Sequence, residues 1–501
     1  MEFLDPKKQK QHTIRLFIGY GLMGIALILT TVIFLEMAYG FGLKDGEVIQ
    51  SGLIFMSSSP NPADIYVNGQ KRAEQTNARL LMPAGQYMFE LKRDGYQTWK
   101  RAINIEGGAV ARFDYPMLFP AKLTTTAVKK YDTQPAFVSD SPDRRWLVVQ
   151  ADPAYNVFDV FDTTKPDKAP VALTVPTSIL KPTGTHSWKL VEWSNDNIHM
   201  LLQHMTDENG KTSSEYILVD RENPAQSVNL TSTLGVNPTQ LELHNKKYDH
   251  YLLYTAADHR LMTATLTDPK PAAYVDHVLS YKTYGDNIVL YATDQGAAVG
   301  KALIKLQDGG TAYPIRQVAA GSNYLLELTS YSSSMYVVAG APSENRTYVY
   351  KDPEAVLSSD PTQTLVPVQV LKAANPSYVA FSDSARFVMA EGGQQFSVYD
   401  AETDKGYNYT VDSPLDAPQT HATWMDGARL MFVSQAKVTV LDFDKTNQAT
   451  LSVADPADEP LFDRDYKLLY TIVPQTTKTA DGKDVTQFAL MSTYLRTPAD
   501  R

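Results

Sequence analysis

A short apolar segment of the kind that fills a buried strand returns eight times along this chain, and that recurrence constrains the fold more than any other feature. Its copies are Leu147-Val148-Val149, Met200-Leu201-Leu202, Tyr251-Leu252-Leu253-Tyr254, Ile288-Val289-Leu290, Tyr336-Val337-Val338, Phe387-Val388-Met389, Leu430-Met431-Phe432 and Leu468-Leu469-Tyr470. Measured between Val148, Leu201, Leu252, Val289, Val337, Val388, Met431 and Leu469, the gaps are 53, 51, 37, 48, 51, 43 and 38 residues, a mean of about 46. That spacing is too long for one strand per repeat and suits a small antiparallel meander. Residues 385–411 show one unit: the run Phe387-Val388-Met389-Ala390, a turn at Glu391-Gly392-Gly393, the alternating run Phe396-Ser397-Val398-Tyr399, and a third run, Tyr407 to Val411. No helical period competes with these strands, so the repeat is all-β.

Several repeats announce the buried strand with an aromatic residue and a hairpin turn: Phe137 to Asp143, Trp193-Ser194-Asn195-Asp196, Phe381-Ser382-Asp383-Ser384 and Trp424-Met425-Asp426-Gly427. The following strand ends on an aspartate in four of them, at Asp162, Asp220, Asp400 and Asp442, where a carboxylate can cap the next turn. We read these four as structural turn residues. The pattern resembles the WD-like and YVTN-like propeller families without their full signatures, since the Trp-Asp pair is not in place. The resemblance implies an eight-bladed β-propeller over residues 119–501, with seven blades as the alternative and Tyr281 to Val318 as the weakest blade. The last repeat supplies only three strands, and Ala121 to Val128 is a strand without a hairpin partner. Pairing of that strand with Val485 to Leu495 is expected to complete the last sheet and cover its open edge.

At the other end, Leu16 to Leu35 holds 20 residues without a charge, enough for a helix to span a hydrocarbon core of about 30 Å. We expect a tail at 1–15, a transmembrane helix at 16–38 contacting lipid through residues 16–35, and a linker at 39–49. Ala38-Tyr39-Gly40 would be a weak cleavage site, but the apolar run is longer than a signal peptide needs, which favours an uncleaved anchor. Lys7, Lys8, Lys10 and Arg15 before the span place the N-terminus in the cytoplasm and the remaining domains outside.

Residues 50–118 read as a separate small β module. Strands are expected at Leu53 to Met56, Asp64 to Val67, Leu80 to Met82, Tyr87 to Leu91 and Trp99 to Ile105, with Asn68-Gly69 as a hairpin turn. The segments PADIYVNG at 62–69, LLMPAGQYMFEL at 80–91 and RDGYQTW at 93–99 resemble the PEGA domain, a small β module of envelope proteins. Ala84 stands where that family's name-giving Glu would be, while Pro83 and Gly85 are kept. The resemblance implies a surface-associated module without catalytic residues. Asn68, Gly69, Pro83, Gly85 and Gly95 are assigned to turns.

A net charge of −10 gives no reason to expect nucleic-acid binding, and zero Cys removes disulfides, thiolate catalysis and Cys-ligated zinc. No HExxH, GxSxG, Walker or dinucleotide motif occurs. His199 and His204 read as strand-edge residues, and Asp442 to Asn447 as a solvated turn that only begins like a calcium loop. No catalytic, cofactor or metal residue is assigned. The expectation is a non-catalytic, membrane-anchored envelope protein binding a protein or glycan through propeller loops at Tyr155, Asp207 to Ser214, Ser343 to Arg346 and Gln475 to Asp484. A propeller-type hydrolase or lyase acting on an envelope polymer is the competing class, and a sensor ectodomain with a separate membrane partner is a third.

Overall fold

The computed structural model describes residues 6–38, 41–44, 47–150, 155–419, 421–478 and 484–500. The chain divides into two compact units, Met1–Ala121 and Lys122–Arg501.

The first unit begins with a helix, Pro6–Ala38, that starts ten residues before the expected span. Pro6 sits where a missing N–H costs nothing, and the Lys/Gln-rich stretch behind it holds no helix breaker. Its segment Lys10–Phe34 is long and apolar enough to cross a membrane, with a mean hydropathy of 2.2. Phe17, Leu22 and Ile28 point outward, exposed. Thr30 and Thr31 turn their hydroxyls back onto the carbonyls of Ala26 and Leu27, at 2.7 and 2.8 Å, so neither needs an outside partner.

The expected linker at 39–49 is not simply extended chain. Phe41–Lys44 (β1) pairs antiparallel with Glu47–Met56 (β2), Lys44 opposite Glu47. Asp64–Val67 (β3), Gln70–Gln75 (β4), Ala78–Pro83 (β5), Gly85–Lys92 (β6), Trp99–Ile105 (β7) and Val110–Phe113 (β8) complete the module. One sheet joins β5 and β8 to β2; the other has the order β4-β3-β6-β7. Alternation along the strands puts Ile54, Met56, Leu80 and Met82 of the first sheet against Ile65, Phe89, Leu91 and Trp99 of the second. The module runs a little past 118, because Phe119 is buried and Ala121 donates to the Gly95 carbonyl at 2.8 Å.

Among its described residues the second unit holds eight four-stranded antiparallel sheets, seven of them with strands in chain order. Sheets 1 to 7 occupy 138–174, 185–229, 240–276, 280–319, 325–372, 378–410 and 423–453. All eight apolar repeats lie in second strands, their central residues at most 3% exposed. The segment Tyr281 to Val318, expected to be weakest, is a complete sheet. Alternation splits each second strand between two neighbours: Val148 packs toward sheet 2 with Phe158 and Trp188, whereas Leu147 and Val149 pack toward sheet 8 with Tyr470 and Leu490. Apolar clusters link sheets 2 to 3, 3 to 4, 4 to 5 and 5 to 6. The rings of Phe387 and Phe443, 4.1 Å apart, join 6 to 7, and Thr493 donates to Ser452 at 3.0 Å between 8 and 7. Contacts therefore return from the last sheet to the first, a propeller-like arrangement.

Sheet 8 takes Leu461–Phe462, Leu468–Lys478 and Asp484–Tyr494 from the end of the chain. Its fourth strand is Thr124–Tyr131 (β9), antiparallel to Asp484–Tyr494, with Thr125 opposite Thr493. The strand lies three residues later than Ala121 to Val128, since Tyr131 is the residue that is buried there. Tyr131 also donates to Asp159 Oδ2 at 3.0 Å, tying the closing strand to sheet 1.

The structure differs from these expectations at three places. Phe137 precedes the first strand of sheet 1, Val138–Asp140, because Val138 and not Phe137 enters the ladder opposite Val149. Asp207 to Ser214 is a continuation of two paired strands, closed at Glu208 opposite Lys211, and not a loose loop. The Gln475 to Asp484 segment likewise continues a ladder to Lys478 opposite Asp484, and its tip at 479–483 lies outside the described residues.

Candidate functional site

The four strand-end aspartates share one task. Asp162 Oδ1 accepts from the Thr164 backbone at 3.1 Å and from its hydroxyl at 2.5 Å. Asp220 Oδ1 accepts from the backbones of Glu222 and Asn223 at 2.9 and 2.8 Å. Asp400 accepts from the Glu402 backbone at 3.0 Å and from both arms of Arg386 at 2.8 and 2.7 Å. Asp442 Oδ2 accepts from Asn447 at 2.8 Å. Burial opposes ionisation of Asp162, but the bonds from Thr164 and Arg145 outweigh it and hold its carboxyl below the usual range. The Asp442 turn is not fully solvated as expected, since Asp442 and Phe443 are both buried.

In the small module, Asn68 and Gly69 adopt positive φ of 50° and 79° and close the β3–β4 hairpin. Asn68 Oδ1 also accepts from the Met88 backbone at 2.8 Å, so its side chain fastens β3 to β6. Pro83 ends β5 opposite Ser51, and Gly85 and Gly95 have positive φ of 150° and 80° at their turns.

The sequence did not point to a cleft in the second unit, a cavity of about 650 Å³ lined by first strands and first hairpin turns of sheets 2 to 5. Leu241 and Leu243 face the core, so alternation turns Glu242 to the other side. Around it lie Glu192, Lys246, Tyr281, Lys282 and Glu327. Glu192 binds Lys246 and the Leu243 backbone, and Lys282 pairs with Glu327 at 3.3 Å. Burial, reinforced by Glu192, pushes the Glu242 carboxyl up, while Lys282, Lys246 and the Tyr281 hydroxyl oppose the shift. The cleft thus presents both signs of charge, a tyrosine and one carboxyl whose pKa burial raises.

A second polar cluster crosses sheet 2. Glu215 accepts from the Lys181 backbone at 2.9 Å and from Asn229 at 2.7 Å, and it contacts His204 Nδ1 at 2.8 Å. His204 Nε2 lies 3.0 Å from His186 Nδ1, and the Tyr155 ring stacks on His186 at 3.7 Å. Burial opposes ionisation of Glu215, but the bonds from His204, Lys181 and Asn229 hold it below the usual range. An ionised Glu215 accepts a hydrogen bond from His204 Nδ1–H, so His204 Nε2 accepts from His186 Nδ1–H, and the His186 Nε2 lone pair is left free to accept. Burial and the neighbouring His204 depress the His186 pKa. His204, read as a strand-edge residue, is fully buried, because Trp188 opposite it covers the ring at 4.4 Å. His199 instead bonds Asp196 at 2.6 Å and stacks on Tyr248.

Among the described residues no group of three or more His, Asp or Glu is arranged to hold a metal. A family model matches residues 51–118. It is that of the PEGA domain. The PEGA match coincides with the two-sheet module and covers none of the eight sheets. No curated protein matches the chain. Among solved structures, a eukaryotic initiation factor is 13% identical, covering 73% of this chain and 86% of its own with a TM-score of 0.37. Hsv2p of Kluyveromyces lactis is 10% identical over 72% of this chain and 97% of its own, TM-score 0.37. Dipeptidyl peptidase 4 of Porphyromonas gingivalis is 10% identical over 71% of this chain and 58% of its own, TM-score 0.40.

Proposed function

We propose that this chain is a single-pass membrane protein of the cell envelope, N-terminus in the cytoplasm, whose eight sheets are the blades of a β-propeller closed by β9. The propeller binds a protein or glycan partner and does no chemistry of its own. The cleft around Glu242 carries this reading: its paired charges, Glu192 with Lys246 and Glu327 with Lys282, sit beside Tyr281 and the exposed Tyr284. Such a lining suits backbone amides or sugar hydroxyls, which need donors and acceptors side by side. Lys and Arg before the apolar segment support the orientation. A photo-crosslinking residue in place of Tyr284, expressed in intact cells, tests it. One discrete crosslinked species, lost with K282E and absent from a control position at Val299, is expected; equal crosslinking at both positions would overturn the cleft as the binding face.

One observation favours a second reading. The raised Glu242 carboxyl beside Glu192 and Tyr281 is the kind of acid a hydrolase or lyase of an envelope polymer would use. Release of soluble fragments from isolated envelope material, abolished by E242Q, would establish it and displace the binding role.

A further inference from the structure

The outer face of one PEGA sheet is built differently from the rest of the module. On β2, Ile54 and Met56 face the core, which turns Leu53 and Phe55 outward. Leu53 is directly opposite Leu81 on one side and Val110 on the other, an apolar row across three strands in which Leu81 is 65% and Val110 57% exposed. The next row is Arg79, Phe55 and Arg112, with the Arg112 guanidinium 5.0 Å from the Phe55 ring. Neither arginine has a carboxylate partner among the described residues. On the opposite sheet the pattern is reversed: Glu90 is bridged by Lys92 and Lys100 at 2.7 and 2.8 Å, and Asp64 by Lys71 at 2.6 Å.

We propose that this face of the PEGA sheet rests on the bilayer, its Leu53, Leu81 and Val110 row entering the headgroup region and Arg79 and Arg112 meeting anionic phosphates. The proposal rests on the reading of Pro6–Ala38 as an uncleaved anchor. Two features select a lipid surface over a protein. The strand that carries the face, β2, pairs with β1, which starts three residues after the helix ends, so the sheet is tethered within reach of the membrane surface. The face also offers arginines without a carboxylate partner among the described residues, beside aliphatic and aromatic side chains, the composition that partitions into an anionic interface. Each arginine near such a surface strengthens partition by about fivefold.

Because the chain holds no Cys, single cysteines report cleanly. The full-length protein carrying a fluorophore at L81C, A73C or L22C is reconstituted in phosphatidylcholine vesicles with or without a third phosphatidylglycerol, and quenching by headgroup-labelled and chain-labelled lipids is read. Ala73 lies on the exposed β4 of the other sheet. The expected result is quenching at 81 well above that at 73, strengthened by anionic lipid, and reduced on the order of 30-fold in surface partition by removing both arginines (R79A/R112A) with an unchanged melting temperature. Equal, low quenching at 81 and 73 while position 22 is quenched by chain-labelled lipid would overturn the docking and leave the anchor standing. Position 22 unquenched would overturn the anchor and the docking together. Shielding of 81 from aqueous quencher that persists in detergent would assign the face to a second copy of the chain, again against the bilayer.

Discussion

Arg144 donates to Asp383 Oδ2 at 2.8 Å, although the two residues belong to hairpin turns of sheets 1 and 6. The same guanidinium reaches the Met425 carbonyl in sheet 7 at 3.2 Å and lies 4.7 Å from the Tyr466 ring in sheet 8. One side chain thereby gathers four sheets. R144A is expected to lower stability by about 1–2 kcal/mol, measured by chemical denaturation, with D383A costing less, because the Asp383 carboxylate is half-exposed and the Met425 and Tyr466 contacts survive. Equal losses would place the effect in the ion pair alone.

Asp140 ends the first strand of sheet 1 near Arg144. Burial pushes its carboxyl up to about 7, Arg144 opposing and Glu459 adding to the shift. A carboxyl raised on folding stabilises at low pH, and that contribution fades as pH rises from about 4 through about 7. D140N should therefore gain stability relative to the parent at pH 8 but not at pH 4.5, by on the order of 1–2 kcal/mol after allowance for solvent screening. Melting curves at both pH values check this; a pH-independent difference would contradict it.

The relay in sheet 2 predicts an asymmetry. E215A strands His204 Nδ1–H, the Lys181 N–H and the Asn229 amide, and should cost about 2–4 kcal/mol. H186A removes only a terminal member and should cost less. In nitrogen NMR of the parent protein, His186 Nε2 is expected as the unprotonated nitrogen, a signature lost in E215Q.

The closing strand makes a prediction about aggregation. Without residues 122–131, the edge at Asp484–Tyr494 loses its ladder partner, and an uncovered edge invites pairing between chains. The deleted protein should melt lower and form soluble multimers in light scattering, whereas a truncation of the N-terminal helix alone should do neither.

Much of this fold was legible because one physical demand, filling the middle of each sheet, repeats in the sequence. Val148, Val289 and Val388 each sit in a run with nothing but apolar neighbours, and a second strand flanked by sheets on both sides leaves no alternative. Asn68-Gly69 was equally plain, since few pairs tolerate two positive φ values. Strand β4 was hidden, because Gln70–Gln75 is exposed throughout and carries no alternation to read. The sites were harder still. His186 and His204 meet only through the register that sets Trp188 opposite His204, which makes the two imidazoles diagonal neighbours. Arg144 and Asp383 are 239 residues apart, and Glu242 owes its raised carboxyl to burial, with Glu192 of sheet 2 adding to it. A single sequence records side-chain type but not which strands a ring brings together.

Closure of the eight sheets depends on β9 completing sheet 8, and Thr125 with Thr493 is the pair that tests it. They face each other across the ladder with hydroxyls 2.8 Å apart, in a chain that holds no Cys. T125C/T493C is expected to form an intramolecular disulfide under mild oxidation, seen as a faster-migrating monomer on a non-reducing gel, and to gain about 2–4 kcal/mol of stability from closing so long a loop. Two free thiols in the folded, oxidant-treated protein, or a disulfide that forms only between chains, would contradict the closure.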